Sequence, residues 1–316
     1  RRWLRVLGGL ITAMALVGGG LLMESWRAMG TRPSGERQTK IEASTQWGPG
    51  DGKFINALRV HEDIAGALKS MLFTDNGGAP KVPEEPLPVE ARTRADFDTP
   101  PASGLRVTWL GHSTMILEVG GQRFITDPVF GERSSPSRFM GPKRWYAPPL
   151  PLDQLPALDA VVISHDHFDH LDMHTVQALG NDVTWITPLG VGSHLEYWGV
   201  TPDHIVELDW WEETQIGGVT LTCAPARHFS GRSLPGRNRT LWAGWSFASA
   251  DHRVFFTGDT GMFPGFSEIG ERLGPFDLTL VESGAYNAAW SDVHLGPEQA
   301  IQAHIMLRGR LMMPVH

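Results

Sequence analysis

The sequence contains a short cluster of histidines and aspartates with the spacing of a metal-binding motif. Residues 165–170 read HDHFDH, in the pattern H-x-H-x-D-H, and they follow directly on an apolar run. Neutral imidazole nitrogens and carboxylate oxygens bind Zn²⁺ and other divalent metals. Residues two apart in extended backbone point the same way, so His165 and His167 can bind one metal ion. Asp169 and His170 diverge from that pair and suit a neighbouring ion.

Two metal ions need further ligands, which we expect at the ends of other strands. His228, Asp259 and His316 each follow an apolar run that predicts a strand. Asp259 lies in a Gly-Asp-Thr-Gly segment, where the flanking glycines let the backbone turn sharply. Each residue alone has an ordinary explanation, as a capped turn or a surface histidine. Their shared position after a strand makes them candidate ligands, and three N or O ligands with one open position suit a catalytic zinc ion.

The elements that must position these residues are mostly strands. Apolar alternation and turn signals predict strands at Leu105–Leu110, Thr114–Val119, Gln122–Thr126, Asp159–Ser164, Thr184–Ile186, Val219–Cys223, Leu241–Phe247, Arg253–Thr257, Leu278–Val281 and Leu311–Val315. Helices are predicted over Met173–Leu179, Pro264–Leu273 and Pro297–Leu307. Because the strands and helices do not alternate strictly, the pattern favours an α/β sandwich of two sheets over a doubly wound sheet.

The amino-terminal segment has a different composition. Three arginines precede an uncharged run of 18 residues from Val6 to Met23, which is long enough to span a bilayer. These arginines, together with Glu24 after the run, favour a cytoplasmic amino terminus. We therefore expect residues 1–26 to form a membrane anchor. A cleaved signal peptide is the alternative, and glycines within the run disfavour a buried helix.

The next part of the chain is expected to connect this segment to the strands. Residues 27–53 are polar and rich in Gly and Pro, which predicts a linker. Apolar residues at roughly helical spacing over 54–73 predict a helix, packed on the main domain or lying at a membrane interface. Residues 75–104 contain many prolines and acidic residues and are expected to form an extended covering segment. The chain thus divides into 1–26, 27–104 and a catalytic domain at 105–316.

Composition excludes several classes of function. The 27 Lys and Arg residues against 35 Asp and Glu give a net charge of −8, which opposes binding to a nucleic-acid backbone. With 41% hydrophobic and 20% charged residues, the chain has the composition of a globular protein. Cys223 is the single cysteine, so an intrachain disulfide and a Cys-rich zinc site are excluded. Any metal must therefore be bound by carboxylates and by some of the 13 histidines.

The order of these motifs resembles the metallo-β-lactamase superfamily and, within it, the phospholipases D that hydrolyse N-acylphosphatidylethanolamine. The similarity covers about residues 105–316 and includes the stretches Trp109–Thr114, Thr126–Phe130, Ser135–Arg144, Glu207–Glu213, Phe255–Gly261 and Gly274–Asp277. It implies an αββα sandwich of two mixed β-sheets, here with an amino-terminal transmembrane or signal helix added. Enzymes of the family continue beyond the position of His316, so the natural chain is expected to be longer.

The resemblance also implies two Zn²⁺ ions per chain, held by the motif residues described above. One ion would be bound by His165, His167 and His228, and the other by Asp169, His170 and His316, with Asp259 bridging the two. Asp259, Asp169 and His294 would have catalytic roles. His294 matches an active-site histidine of the family that is not a ligand, but Val293 stands where the family usually has Gln.

The predicted function is hydrolysis of N-acylphosphatidylethanolamine to N-acylethanolamine and phosphatidic acid by a dinuclear zinc phosphodiesterase. Asp259 would orient the attacking hydroxide, and His294 would hydrogen-bond the phosphate or protonate the leaving alkoxide. The alternative is a lactonase or amidase acting on a soluble small molecule, because the same ligands support attack on a carbonyl. A non-catalytic envelope protein is disfavoured, because no ligand position is lost.

The expected partners are a phospholipid substrate and a membrane surface, with no nucleic acid; a homo-oligomer is compatible with the sequence. The expected location is the inner membrane of a bacterium, with the catalytic domain on the periplasmic side. The cytoplasmic face remains the alternative, because the membrane side depends on whether residues 1–26 form an anchor.

Overall fold

Two six-stranded β-sheets stack face to face in the structure, a computed structural model that describes residues 18–61, 63, 65, 66 and 82–316. A small hairpin, β1 (Trp47–Gly48) and β2 (Lys53–Phe54), precedes them. The first sheet contains β3 (Leu105–Gly111), β4 (Thr114–Val119), β5 (Gln122–Thr126), β6 (Ala160–Val162), β7 (Thr184–Pro188) and β8 (Ile205–Leu208). The second contains β9 (Glu213–Ile216), β10 (Val219–Ala224), β11 (Gly244–Ala248), β12 (Arg253–Phe256), β13 (Phe276–Glu282) and β14 (Gly309–Val315).

Both sheets are mixed. In the first sheet, with the order β3-β4-β5-β6-β7-β8, the β3–β4 and β4–β5 pairs are antiparallel and the remaining pairs are parallel. In the second, with the order β14-β13-β12-β11-β10-β9, β9 to β12 pair antiparallel, whereas β12, β13 and β14 are parallel. The predicted sandwich of two mixed sheets is confirmed.

Helices cover the outer faces of the sheets. They are α1 (Gly35–Ala43), α2 (Met173–Leu179), α3 (Gly192–Tyr197), α4 (Gly265–Arg272) and α5 (Pro297–Met306), and residues 18–28 are also helical. Helix α2 has the predicted bounds, because the Asp172 carboxylate accepts hydrogen bonds from the His174 and Thr175 amides at its start. Strands β4 and β5 also have the predicted bounds, and the other strands and helices predicted after residue 104 are present with ends that differ by up to three residues. Strands β8 and β9 and helix α3 were not predicted.

Alternating side chains of each strand explain the layered core. In β4, Met115 and Leu117 face the second sheet, whereas Ile116 between them faces the outer helices. Phe124 and Phe247 meet between the sheets with ring centroids 5.3 Å apart. A second apolar layer lies outside the first sheet under α2 and α3, and a third lies outside the second sheet under α4 and α5. The molecule therefore has the expected four layers.

The prediction that residues 27–53 are a linker is wrong. This polar segment contains helix α1 and most of the β1–β2 hairpin. Ile41, Trp47 and Phe54 are buried, and each belongs to the core between the sheets. The segment has too few apolar residues to show a period, but these three large side chains suffice to fix it on the domain.

The helix predicted over residues 54–73 is wrong for its first part, residues 54–61, whereas Ala65 and Gly66 are helical. Phe54 lies in β2, and residues 55–61 have no helix. Most of the later part, like residues 1–17 of the expected membrane anchor, lies outside the described residues. Among the described residues, no helix is both long enough and apolar enough to cross a membrane. Residues 82–93 have no helix or strand, and a single 3-10 turn follows at Arg94–Phe97.

Gly258 provides a test of how tightly the two sheets meet near Asp259. Its φ is +56°, and a Cβ there would lie 2.7 Å from Ser164 Cβ and 2.8 Å from the Ala243 carbonyl oxygen. We predict that Gly258→Ala lowers the free energy of unfolding by about 3 kcal/mol. Denaturant unfolding of the metal-free protein measures this value.

Gly121→Ala is the matched control, because Gly121 also has a positive φ (+76°) but open space around its Cβ position. It should cost about 1 kcal/mol, the cost of the left-handed backbone alone. Equal losses for the two variants would show that the contact between Gly258 and the first sheet is not tight.

Candidate metal centre

The predicted ligands meet at one edge of the sandwich. Strands β5 and β6 are parallel, and β10 runs in the same direction as β12, β13 and β14, so their carboxyl ends lie together. The residues 165–170 follow β6, whereas His228, Asp259 and His316 follow β10, β12 and β14. The structure therefore brings all seven predicted ligands to one place, at the strand ends where such folds commonly bind ligands.

A first cluster consists of three histidines. His165 Nε2 lies 2.8 Å from His167 Nδ1, which is 3.4 Å from His228 Nε2. Bonds of about 2.0–2.1 Å to one tetrahedral ion separate nitrogens by roughly 3.3 Å. The three nitrogens are therefore close enough to share one metal ion.

A second cluster lies beside it, and Asp259 stands between the two. His170 Nε2 and His316 Nε2 are each 3.7 Å from Asp169 Oδ2. Asp259 Oδ2 is 3.1 Å from both of these nitrogens. The same oxygen is 3.8 Å from His165 Nε2 and from His228 Nε2 in the first cluster. A single carboxylate can thus contact metal ions in both clusters.

Hydrogen bonds on the far side of the rings leave the inward nitrogens free. The Ser164 hydroxyl donates to Asp127 Oδ2 at 2.5 Å and accepts from His165 Nδ1 at 2.9 Å. Asp127 Oδ2 also accepts from His170 Nδ1 at 2.7 Å. In the same way, His228 Nδ1 donates to the Val293 carbonyl oxygen at 2.9 Å. In each case the hydrogen bond engages Nδ1 and leaves Nε2 facing the cluster, the orientation that a ligating histidine requires.

The electrostatics of the two clusters differ. Burial, reinforced by neighbouring imidazoles, holds the pKa of His165 well below its usual value, and burial lowers the pKa of His167 to about 4. Burial also opposes protonation of His170 and His316. However, Asp259 and Asp169 outweigh burial, raising the pKa of His170 well above its usual value and that of His316 to about 10. The histidines of the first cluster are thus neutral. In the second cluster, positively charged imidazoles neutralise the carboxylates, and a divalent cation could supply that positive charge instead.

Buried atoms without partners support the assignment of this site to a metal. Among the described residues, His170 Nε2, His316 Nε2 and Asp259 Oδ1 are buried and have no hydrogen-bond partner. Buried polar atoms are normally satisfied, so three orphaned atoms aimed at one space need an explanation. Bound divalent metal would provide it, and this set of nitrogen and oxygen donors fits that chemistry.

Two carboxylates that sequence reasoning missed complete the site. Asp127 follows β5 and anchors Ser164 and His170, as described above. Glu282 is the last residue of β13; its side chain accepts from the Thr260 amide at 2.7 Å and pairs closely with His294 Nδ1. Both residues lie at the end of a predicted strand, which is the signal that singled out His228, Asp259 and His316.

His294 lies beside both clusters. Its ring centroid is 5.1 Å from that of His228 and 5.4 Å from that of His316. Burial opposes its protonation, but the carboxylates of Glu282 and Asp259 outweigh this and raise the pKa of His294. Because Glu282 engages Nδ1, the nitrogen left to meet a substrate is Nε2.

The amino-terminal segment stabilises the loop of residues 165–170, which carries four of the predicted ligands. The Thr31 amide donates to His194 Nδ1, so His194 Nε2 donates to Asp166 Oδ2 at 3.1 Å. The Arg232 guanidinium donates to the carbonyl oxygens of Ala28 and Asp166. His194 is thus a buried helical residue that positions Asp166, between two predicted ligands.

A second part of this segment holds the loop that carries His228. Asn56 Nδ2 donates to the His228 carbonyl oxygen at 2.7 Å, and Asn56 Oδ1 accepts from the His228 amide at 3.1 Å. The amino-terminal extension therefore contacts the ligand loops of both sheets.

A cavity of about 570 Å³ leads to the second cluster. His112, Asp169 and His316 lie at its floor, and His112 Nε2 donates to Asp169 Oδ2 at 3.1 Å. Trp109, Trp145, Tyr146, Val129 and Leu87 form its apolar walls. Through Leu87, Trp109 and Tyr146 it adjoins a second cavity of about 650 Å³ along β3. Together these volumes exceed what a small soluble ligand needs.

Comparison with known proteins agrees with this geometry. The Beta-lactamase superfamily domain family matches residues 122–316. The chain belongs to the metallo-β-lactamase superfamily. Its match to an uncharacterized protein of Mycobacterium tuberculosis shows 44% identity over 331 residues, covering all of this chain and 86% of the relative.

Relatives with an assigned activity and solved structures are more distant. The N-acyl-phosphatidylethanolamine-hydrolyzing phospholipase D 1 of Caenorhabditis elegans is 40% identical over 249 residues, covering 75% of this chain and 69% of that protein. An isothiocyanate hydrolase from Delia radicum gut bacteria has a similar fold, with a TM-score of 0.55 and 23% identity over 66% of this chain and 84% of that chain. The metallo hydrolase Igni18 of Ignicoccus hospitalis also has a similar fold, with a TM-score of 0.52 and 22% identity over 67% of this chain and 82% of that chain.

Removing one ligand from each cluster tests whether they bind separate ions. We predict that the protein binds about two metal ions per chain and that His228→Ala and His316→Ala each retain about one. Metal content after equilibrium dialysis measures this. His204→Ala, which changes a histidine outside the clusters, should retain both ions. Loss of both ions in either ligand variant would show that the clusters do not bind independently.

Asp127→Asn tests the support behind His170 without removing a ligand. The amide can present its NH₂ where the carboxylate accepts from His170 Nδ1, so the ring loses the partner that fixes its orientation. We expect metal affinity at the second cluster to fall by about 10- to 100-fold. Competition with a chelating dye measures the change. Unchanged affinity would remove Asp127 from the metal centre.

Proposed function

We propose that this metallo-hydrolase is a dinuclear zinc phosphodiesterase of the phospholipase D type. Its substrate would be N-acylphosphatidylethanolamine, and its products N-acylethanolamine and phosphatidic acid. The observation that carries the proposal is the pair of ligand clusters sharing Asp259 at the floor of a large, partly apolar cavity. The 40% identity to the C. elegans phospholipase D supports it.

The proposed zinc ligands follow the two clusters. His165, His167 and His228 would hold one ion, and Asp169, His170 and His316 the other, with Asp259 between them. Bound zinc would lower the pKa of coordinated water and neutralise the negative charge that develops on the phosphate. Asp259 has a second oxygen, Oδ1, without a partner among the described residues, so it can also orient the attacking water.

His294 would assist departure of the N-acylethanolamine. Cleavage at this bond leaves an alkoxide, which needs a proton. The Glu282 carboxylate holds Nδ1 of His294 and favours its protonated form, so a proton is available on Nε2. An imidazolium so placed acts as a general acid in this step.

The cavity walls suit a lipid better than a small polar molecule. Trp109 is 43% exposed and lies between the two cavities. The centroid of its ring is 6.4 Å from the centroid of the Tyr146 ring. Arg144 donates to the carbonyl oxygens of Gly131 and Val129, so it shapes the wall and is not free to clamp a phosphate. Lys143, which also lines the cavity, pairs with Glu132 at 2.5 Å, so we assign phosphate recognition to the metal ions and His294.

The test is hydrolysis of N-acylphosphatidylethanolamine by the zinc-loaded protein, with phosphatidic acid and N-acylethanolamine quantified by mass spectrometry. We expect both products in equal amounts. Lactone and amide substrates are assayed with the same preparation, because the same ligands could serve a lactonase or amidase. Turnover of those substrates without phosphodiester cleavage would replace the proposed function with the alternative.

His294→Gln separates proton transfer from metal binding. We expect kcat to fall by about 10²- to 10⁴-fold, because Gln cannot donate a proton from the position of Nε2. Metal content should remain that of the wild type, since His294 is not among the proposed ligands. A wild-type kcat in this variant would exclude His294 as the general acid. His204→Gln is the control.

A further inference from the structure

Large apolar side chains are exposed on the loop that walls the active-site cavity. Phe139 is 65% exposed, Met140 72% and Trp145 59%. The same loop, residues 129–146, contributes Val129, Trp145 and Tyr146 to the cavity wall. The exposed apolar residues therefore lie beside the mouth of the cavity. Exposed apolar clusters of this kind mark interaction surfaces.

The described amino-terminal helix adds to this surface. Residues Leu22, Met23 and Trp26 are 67–75% exposed on its outer side. On its inner side, Glu24 pairs with Arg138 of the loop and contacts His174 Nε2 at 3.0 Å. The Glu24–Arg138 pair places the helix directly against the loop.

We infer that this loop and this helix together form a surface that docks on a lipid bilayer. The docked bilayer would place the cavity mouth at the lipid headgroups. The inference rests on the proposed function, since a diacyl phospholipid must leave a membrane to reach the metal centre. It assigns a role to the exposed residues Leu22, Met23, Trp26, Phe139, Met140 and Trp145.

Two observations favour a bilayer as the occupant. First, the described part of this helix contains the end of the uncharged sequence run Val6–Met23, so residues 18–23 of that run lie beside the loop. Second, the loop has a net charge of +3, from four basic residues against Glu132, although the whole chain has a net charge of −8. Arg138 and Lys143 form ion pairs with Glu24 and Glu132, so the excess positive charge comes from the loop as a whole. Aromatic and basic side chains together are typical of surfaces at the lipid headgroup region.

The buried position of Cys223 makes a direct test possible. Phe139→Cys in the full chain gives one accessible thiol for an environment-sensitive fluorophore, because Cys223 is buried. Ile301→Cys, at an exposed site on α5, is the matched control. Vesicles of phosphatidylcholine and phosphatidylethanolamine should shift the emission of the label at 139 to the blue. Quenchers in the lipid tails should quench that label and not the label at 301.

Equal responses at the two positions, or none at 139, would overturn the inference. A blue shift at 139 that depends on protein concentration and not on vesicles would also overturn it, and would indicate a protein partner. This experiment needs no turnover, so its result is independent of whether the proposed activity is correct.

An activity measurement then links docking to the cavity. The double variant Phe139→Ser/Met140→Ser changes exposed residues that do not line the cavity. We expect its turnover of N-acylphosphatidylethanolamine in vesicles to fall at least tenfold, with unchanged turnover of a monomeric short-chain analogue. Equal turnover of vesicles by variant and wild type would contradict the docking role. If the wild type cleaves neither substrate, the proposed function fails, while the fluorescence result still stands.

Discussion

The structure depends on the carboxylate of Asp259, which lies between two clusters of imidazoles. It is buried, and one of its oxygens is 3.1–3.8 Å from four histidine nitrogens. Burial would raise its pKa, but the rings of His170 and His316 hold the pKa well below its usual value. An ionised group in this position is stable only if its neighbours are fixed around it. Much of the surrounding chain fixes the positions of the side chains around Asp259.

The fixing elements come from three parts of the chain. The parallel strands bring the ligands to one edge, and the hydrogen bonds of Asp127, Ser164 and the Val293 carbonyl orient the imidazoles. The amino-terminal extension then secures the ligand loops through Arg232, His194 and Asn56. His112 and Asp127 adopt positive φ angles at the site, as residues at functional sites often do. The edge of the sandwich where the predicted ligands meet is therefore stabilised by residues that are far apart in sequence.

The sequence predicted the sandwich and pointed to the seven side chains that meet at one edge, because both leave local signals. Strands that are buried on both faces read as apolar runs, and chemically distinctive residues follow them. Asp127 and Glu282 carry the same signal but were not recognised. The role of His194 could not be predicted, because it depends on a hydrogen bond from Thr31, 163 residues away in sequence. Helix α1 was missed because three widely spaced side chains, not a periodic face, bury the segment around it.

The central claim is that one carboxylate joins two metal ions at this edge. X-ray absorption at the zinc edge of the fully loaded protein tests it most directly. The geometry predicts a metal–metal distance of roughly 3.5–4 Å, with nitrogen and oxygen ligands and no sulfur. Asp259→Ala should weaken or abolish the metal–metal signal. A spectrum without a metal–metal vector, or one unchanged by Asp259→Ala, would contradict the account.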